Sequence, residues 1–263
     1  MTLKIGCLLE YNSSQEIPLI LLLQLCRDKT QVILHEELSI EPSIPIKEYV
    51  DAYGNRYLRM IVPVGKLVIN TSAIVETKTY NKVDRSADYI LIQDLPDDVL
   101  LYLLPSRFCE SDKLNNEAFA IVQDLETGYD MVEAIRQWVH NHIKYAYDYS
   151  TSSTSALDTL SAGIGVCRDL SHLAITLCRS INIPARYVVG YVYQLYPMDL
   201  HAWFEVYLGN KWHTFDATQA IVTGGRVAIA HGRDAADVAT ATYFGDLELT
   251  NMNVSVEQIG LDG

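Results

Sequence analysis

The sequence has no Cys-x-x-Cys pair, no run of basic residues and no apolar stretch long enough to cross a membrane. Each absence removes a class of function. The five cysteines, at 7, 26, 109, 167 and 178, are odd in number and widely spaced. That argues against a zinc ribbon or knuckle and against a disulfide framework. Lys plus Arg is 20 against 33 Asp plus Glu, a formal net charge of −13 with no cluster of cations. Binding to phosphates or to an anionic bilayer requires such clusters, so nucleic acid and membrane surfaces are not expected partners. The longest apolar stretch, residues 17–25, contains Pro18 and Gln24 and falls short of the roughly 20 residues a span needs. The first twelve residues lack the charged-then-apolar order of a signal peptide. Together these features predict a cytoplasmic chain with reduced thiols. There is no internal repeat.

What is present suffices for a core. The chain has 263 residues and is about half apolar, and a chain of that size buries roughly three quarters of its surface on folding. Its length allows one large domain or two ordinary ones.

Residues 1–82 read as strands. Leu3, Ile5, Cys7 and Leu9 alternate with Lys4, Gly6 and Glu10, although Leu8 interrupts the pattern. Val32 to Leu34 is a short β-branched run, and Tyr53-Gly54-Asn55 marks a turn between extended segments at 46–50 and 57–62. Residues 67–79 are rich in Val, Ile and Thr. Short strands with such punctuation predict an antiparallel β-sandwich. Residues 17–26 fit strand or helix equally.

Residues 83–116 form a connection, with a turn or helix start at Leu95-Pro96-Asp97-Asp98. From 117 onward helical spacing appears. Asn116 is placed to cap a helix over 117–125, which Thr127-Gly128 ends, and Asp130 with Glu133 resembles a further helix start. Asp148 opens a polar loop running to Ser155, and Ser155 with Asp158 begins a short helix ended by Gly163. The clearest helix follows, with Val166, Leu170, Leu173, Ala174, Leu177 and Ile181 as its apolar stripe and Pro184 beyond its end. Strands are expected at 185–194, 201–208 and 211–215, the last two joined by a Gly209-Asn210 hairpin loop. The tail from Gly245 shows one possible strand. The fold class is therefore α+β.

Cys167 follows two glycines and opens the clearest helix. Unpaired N–H groups and the helix dipole at such an end favour a thiolate and offer donors for an oxyanion. A small apolar residue at a helix start would look the same. His172, about 140° further round that helix, points away. The hairpin supplies a better partner. With Gly209-Asn210 as the loop, Trp203 lies opposite Asp216, and His201 is a diagonal neighbour of Asp216 on the same face. A carboxylate there holds an imidazole's orientation, so Cys167, His201 and Asp216 form a candidate nucleophile, base and orienter. A purely structural His–Asp pair fits the spacing as well. His213 has the opposite parity.

Gly165-Val-Cys-Arg-Asp-Leu-Ser-His-Leu173, Ile183-Pro-Ala-Arg-Tyr-Val-Val-Gly-Tyr191, His201-Ala-Trp-Phe-Glu-Val206 and Trp212-His-Thr-Phe-Asp216 resemble the bacterial transglutaminase-like family in order and spacing. The resemblance covers at least residues 130–240, and the N-terminal strands resemble the β-sandwich domain that precedes this core in bacterial members. It implies a papain-like site on Cys167, His201 and Asp216 within residues 117–263, and a peptide or protein substrate. It does not choose the reaction. Family members include cross-linkers, proteases, de-glycosylating enzymes and inactive scaffolds. The zinc-binding cysteine pairs of the de-glycosylating branch are missing here. No acidic loop has calcium-binding spacing, so no metal or organic cofactor is expected. A cysteine peptidase or amidase is the first expectation, with a transglutaminase or a non-catalytic scaffold as alternatives.

Trp203 is a candidate binding residue that would shield the His–Asp pair, or a core aromatic. Asp169 should turn from the sulfur and pair with an arginine, and Arg168 and Arg186 are expected in ion pairs. Cys7, Cys26 and Cys178 read as buried thiols and Cys109 as the second reactive one. His140 and His142 do not share a helix face. Asp234 reads as a helix cap, and Gly224-Gly225-Arg226 lacks the setting of a phosphate loop. Some of the 17 tyrosines are candidates to line a groove. An edge strand of the sandwich would permit a homo-oligomer.

Overall fold

Alternating burial builds the first half of the chain. A computed structural model describes residues 1–78, 84–147, 149–221 and 224–260. Thr79, the boundary at 82/83 and Asp148 lie outside the described residues. On β1 (Thr2–Ser13) the side chains of Leu3, Ile5, Cys7, Leu9 and Tyr11 are buried. The ambiguous stretch resolves as β2 (Ile17–Leu21), with Ile17, Leu19 and Leu21 inward and Pro18 exposed. Strands β3 (Val32–Glu41), β4 (Ile46–Val50), β5 (Arg56–Val62) and β6 (Gly65–Glu76) follow. The β4–β5 turn falls at the expected tripeptide. Asp51 Oδ1 accepts from the backbone N–H of Tyr53 and Asn55, each at 2.8 Å, and Gly54 takes φ +85°.

The connection contains one turn of helix, α1 (Asp97–Leu100). Three helices then precede the central one: α2 (Asn115–Val122), α3 (Gly128–His142) and α4 (Ala156–Ala162), with the short strand β7 (Lys144–Tyr145) after α3. Two helix starts differ from expectation. Leu114, not Asn116, sits at the α2 cap, with no side-chain bond. Thr127 caps α3, its hydroxyl accepting from Asp130 N at 3.2 Å, and Glu133 instead grips Arg136. The preceding helix has already ended at Val122, so Thr127 starts a helix and stops none. For α4 the expected capping box is present, Ser155 N to Asp158 Oδ2 at 2.9 Å, and Gly163 ends the helix at φ +68°.

After β8 (Ile164–Gly165) comes α5 (Cys167–Ser180). Its apolar stripe predicts one buried face, yet every residue from Asp169 to Ser180 is buried. Two polar side chains near the end of the helix bond to surrounding segments, while Ser171 Oγ and His172 Nδ1 have no protein partner among the described residues. Ser180 Oγ donates to Ser111 O, and Arg179 donates to the carbonyls of Ala185, Leu104 and Arg233. The helix packs against β9 (Ala185–Val192) and β10 (His201–Leu208). With β11 (Lys211–Phe215) and β12 (Arg226–Gly232) these make an antiparallel sheet of order β11-β10-β9-β12.

The last two strands correct the expected boundary of the second domain. Strands β13 (Ala241–Tyr243) and β14 (Glu248–Ile259) return to the N-terminal sandwich. Its sheets have the orders β14-β1-β6-β3 and β13-β2-β5-β4. The core expected over residues 117–263 is thus an insertion between strands of the sandwich. Only Val256 of β14 is buried, so this edge strand carries almost no apolar alternation to announce it.

Gly190 on β9 is a close approach. A Cβ there would lie 2.1 Å from Val227 O and 3.0 Å from both Ala228 Cα and the Trp203 ring. Two of these neighbours are backbone, so β12 must move. Gly190→Ala is expected to cost at least about 1–3 kcal/mol, measured as a lowered urea midpoint. An unchanged midpoint would contradict this packing.

Candidate active site

Cys167 is the first residue of α5, where backbone N–H groups have no partner within the helix. Asp169 is buried and faces away from the sulfur: Oδ2 accepts from Val166 N at 3.0 Å and Oδ1 from Arg168 at 3.0 Å. Gly165 permits this turn, since a Cβ on it would meet Asp169 Cβ at 2.8 Å. Cys167 is partly exposed, and the other four cysteines are buried.

The β10–β11 hairpin has the register expected from its loop. Leu208 pairs with Lys211 and Phe204 with Phe215, and Gly209 and Asn210 take φ +53° and +63°. One step further, His201 Nε2 lies 2.9 Å from Asp216 Oδ2. Nδ1 is left to face a substrate or the thiol. Asp216 Oδ1 accepts from Thr218 N and Oγ1, at 2.9 and 2.7 Å. Its Oδ2 also accepts from Arg226 Nη2 at 2.9 Å. Burial pushes the Asp216 carboxyl up, but the His201 hydrogen bond, the charges of His201 and Arg226, and Thr218 hold it well below the usual carboxylate range. Burial alone would depress His201. The hydrogen bonds and charges of Asp216 and Cys167 outweigh it and raise the imidazole to about 9. At neutral pH an imidazolium therefore stands beside Cys167.

From sequence, Arg226 is weighed only as part of a phosphate loop and Thr218 not at all. Arg226 reaches Asp216 from β12, across the sheet, and nothing local in the chain marks that approach. Trp203 takes the core-aromatic alternative and not the binding one. It is 2% exposed, packs with Val188 and Val192, and lies under the Arg226 guanidinium at 5.4 Å. It lines neither cavity at the thiol. Inward alternation on a fully buried strand decides its position, and its part is to cover the ion pair from behind.

Cys167 and His201 sit where two cavities meet. One, of about 480 Å³, is largely apolar, walled by Phe108, Val189, Ala235, Val238 and, from the returning segment, Ala241 and Met252. The other, of about 530 Å³, holds Tyr145, Tyr147, Tyr196, Asp199 and Gln219. A larger cavity of about 750 Å³ lies against β3 and β6 and contains none of Cys167, His201 and Asp216.

The remaining candidates are structural. Cys109 is fully buried with its sulfur 3.6 Å from His172 O, and burial pushes its thiol up to about 12, which corrects its expected reactivity. Burial likewise raises Cys7 and Cys26 to about 12. Asp234 caps no helix. It accepts from Phe108 N and Ala236 N, each at 2.8 Å, and ties two loops together. His172 accepts from Ala235 N at 3.1 Å between the rings of Phe108 and Tyr187, and burial pushes it well below its usual value. Arg186 pairs with Glu205 at 2.6 Å and lies over Trp212. His213, His140 and His142 bond to backbone carbonyls. Among the described residues no group of three His, Cys, Asp or Glu side chains is placed to hold a metal.

This arrangement has counterparts. Residues 116–217 match the transglutaminase-like superfamily, and residues 1–98 match the bacterial transglutaminase N-terminal domain. The crystal structure of a "putative cysteine protease" from Cytophaga hutchinsonii is 38% identical, with a TM-score of 0.94, covering 100% of this chain and 92% of that one. An uncharacterised protein of Mycobacterium leprae, ML0607, is 23% identical over 246 residues, 86% of each chain. Another, YebA of Bacillus subtilis, is 22% identical over 147 residues, 47% of this chain and 20% of that one. From its N-terminal sandwich to the sheet beneath Cys167, the chain belongs to the transglutaminase-like superfamily, in the form that carries the bacterial N-terminal domain.

Proposed function

We propose that this protein is a cysteine-dependent amide hydrolase, a peptidase or amidase acting through a thioester. The observation that carries the proposal is the buried Asp216–His201 pair beside a partly exposed thiol at a helix start, between two open cavities. The Cys167 sulfur attacks an amide carbonyl, forming the S–C bond and pushing the carbonyl electron pair onto oxygen. The Cys167 N–H faces that oxyanion. His201, protonated at neutral pH, gives its proton to the departing amine as the C–N bond breaks. Water then attacks the thioester, giving its proton to the neutral imidazole; the C–S bond breaks, the carboxylic acid leaves, and the thiolate and imidazolium are restored. Asp216 holds the imidazole orientation throughout.

The two cavities suit an extended chain lying across the thiol, with an apolar side chain on the Met252 side. Hydrolysis is favoured because water needs no second subsite, and the name of the Cytophaga relative agrees with it. One feature favours acyl transfer to an amine instead: the Asp199 carboxylate in the tyrosine-lined cavity.

The test uses a tryptic digest of casein, with and without a fluorescent primary amine, for wild type and Cys167→Ala. New amino termini are expected from wild type alone, in amounts indifferent to the amine. Incorporation of the amine without new termini would establish a transglutaminase. Equal peptide binding by both proteins with no reaction would leave a scaffold.

A further inference from the structure

An oxyanion hole needs two donors, and the backbone N–H of Cys167 supplies one. The second is legible in how β7 meets β8. These two-residue strands pair in parallel, Lys144 with Ile164 and Tyr145 with Gly165. Lys144 N donates to Gly163 O at 2.8 Å, and Ala146 N donates to Gly165 O at 3.1 Å. The bridge fixes the Tyr145 backbone alongside Gly165, two residues before the nucleophile. The side chain lines the same cavity as Cys167 and His201. Its ring is braced edge-on by Tyr147, at 5.5 Å between centroids.

Two other polar side chains of this cavity already bond elsewhere, and the nearby indole is not part of it. Thr218 donates to Asp216, Gln219 Oε1 takes Arg226, and the Trp203 indole N–H lies behind the sheet.

On the proposed amide chemistry, we infer that the Tyr145 hydroxyl is the second oxyanion donor. When Sγ bonds to the carbonyl carbon, the electron pair moves to oxygen. That oxygen accepts hydrogen bonds from Cys167 N–H and Tyr145 O–H, with no proton transferred. Collapse of the intermediate returns the pair to the carbonyl and expels the amine with the proton of His201. The phenol's surroundings suit a donor. Burial, the Cys167 charge and Tyr147 all raise its pKa, so it keeps its proton across the working range, while its oxygen lies toward the Cys167 N–H.

Two probes separate this role from a structural one. Iodoacetamide alkylates the thiolate by direct displacement and forms no oxyanion. p-Nitrophenyl acetate acylates it through a tetrahedral oxyanion and releases a burst of p-nitrophenolate. Tyr145→Phe keeps the ring and removes the donor. The expected result is a burst rate lowered on the order of 10²-fold with alkylation of Cys167 at about the wild-type rate. An unchanged or faster burst overturns the assignment, the latter making the hydroxyl an obstruction. Equal slowing of both reactions also overturns it, since the effect then passes through the thiolate or the fold. If wild type shows no burst above Cys167→Ala, the nucleophile itself is misassigned, and Tyr145 falls with it.

Discussion

Asp216→Ala is expected to lower the acylation rate about 10⁴-fold and to destabilise the fold by about 3–5 kcal/mol. Asp216 is fully buried and takes hydrogen bonds from His201, Arg226 and Thr218. Arg226 is itself buried, with the Trp203 ring beneath it. Removing the carboxylate strands a guanidinium out of water, and that uncompensated charge is the larger part of the cost. Asp216→Asn keeps the shape but presents an amide to the imidazole. It should lose a similar share of activity with a smaller loss of stability. A double variant with Arg226→Met removes the stranded charge and should recover part of the stability while recovering none of the activity. The folded carboxyl lies below its usual value, so its stabilisation is present above about pH 4 and is lost as pH falls through the folded pKa. Urea midpoints and burst rates check each outcome. Wild-type stability and activity in Asp216→Ala would remove the carboxylate from both the core and the mechanism.

His201→Ala should lower amide cleavage by up to about 10⁴-fold, and the wild-type pH profile should carry the same residue's signature. The folded imidazole titrates near 9, above its ordinary value. Its ion pair with Asp216 thus stabilises fully below about pH 6.5 and is lost as pH rises through about 9. Amide hydrolysis needs the protonated ring for the leaving amine, so kcat/KM should fall through that same range. An activated ester expels a good leaving group without a proton, so its acylation should not fall there. Amide turnover still rising at pH 10, or His201→Ala within about tenfold of wild type, would rule the imidazole out as the acid.

Much of the site was legible because it depends on local rules. Gly209-Asn210 sets a two-residue loop, the loop sets the register, and period-two alternation brings His201 and Asp216 to one face. Cys167 was marked by the glycines before it and the apolar stripe after it. The same rules missed whatever reaches the site across sequence. Arg226 arrives from the far side of β9, and Tyr145 through a two-residue bridge too short to leave a pattern. The strand β14 has its side chains mostly in water and offered no alternation. Cys109, read as the second reactive thiol, is buried by packing against α5, which its local sequence does not encode. Thr127 was mistaken for a breaker because a cap and a stop share residue types.

The pairing of β14 with β1 also fixes an order of events. Thr250 and Glu10, bonded across that ladder, are 240 residues apart in sequence. At roughly 5–20 residues per second, a ribosome exposes β1 tens of seconds before its outer neighbour exists. The whole insertion bearing Cys167 emerges in that interval. Met252 and Ala241, which wall the cavity beside the thiol, emerge only afterwards. Synthesis therefore delivers the nucleophile and the tyrosine-lined cavity first, and the last wall of the apolar cavity only at the end.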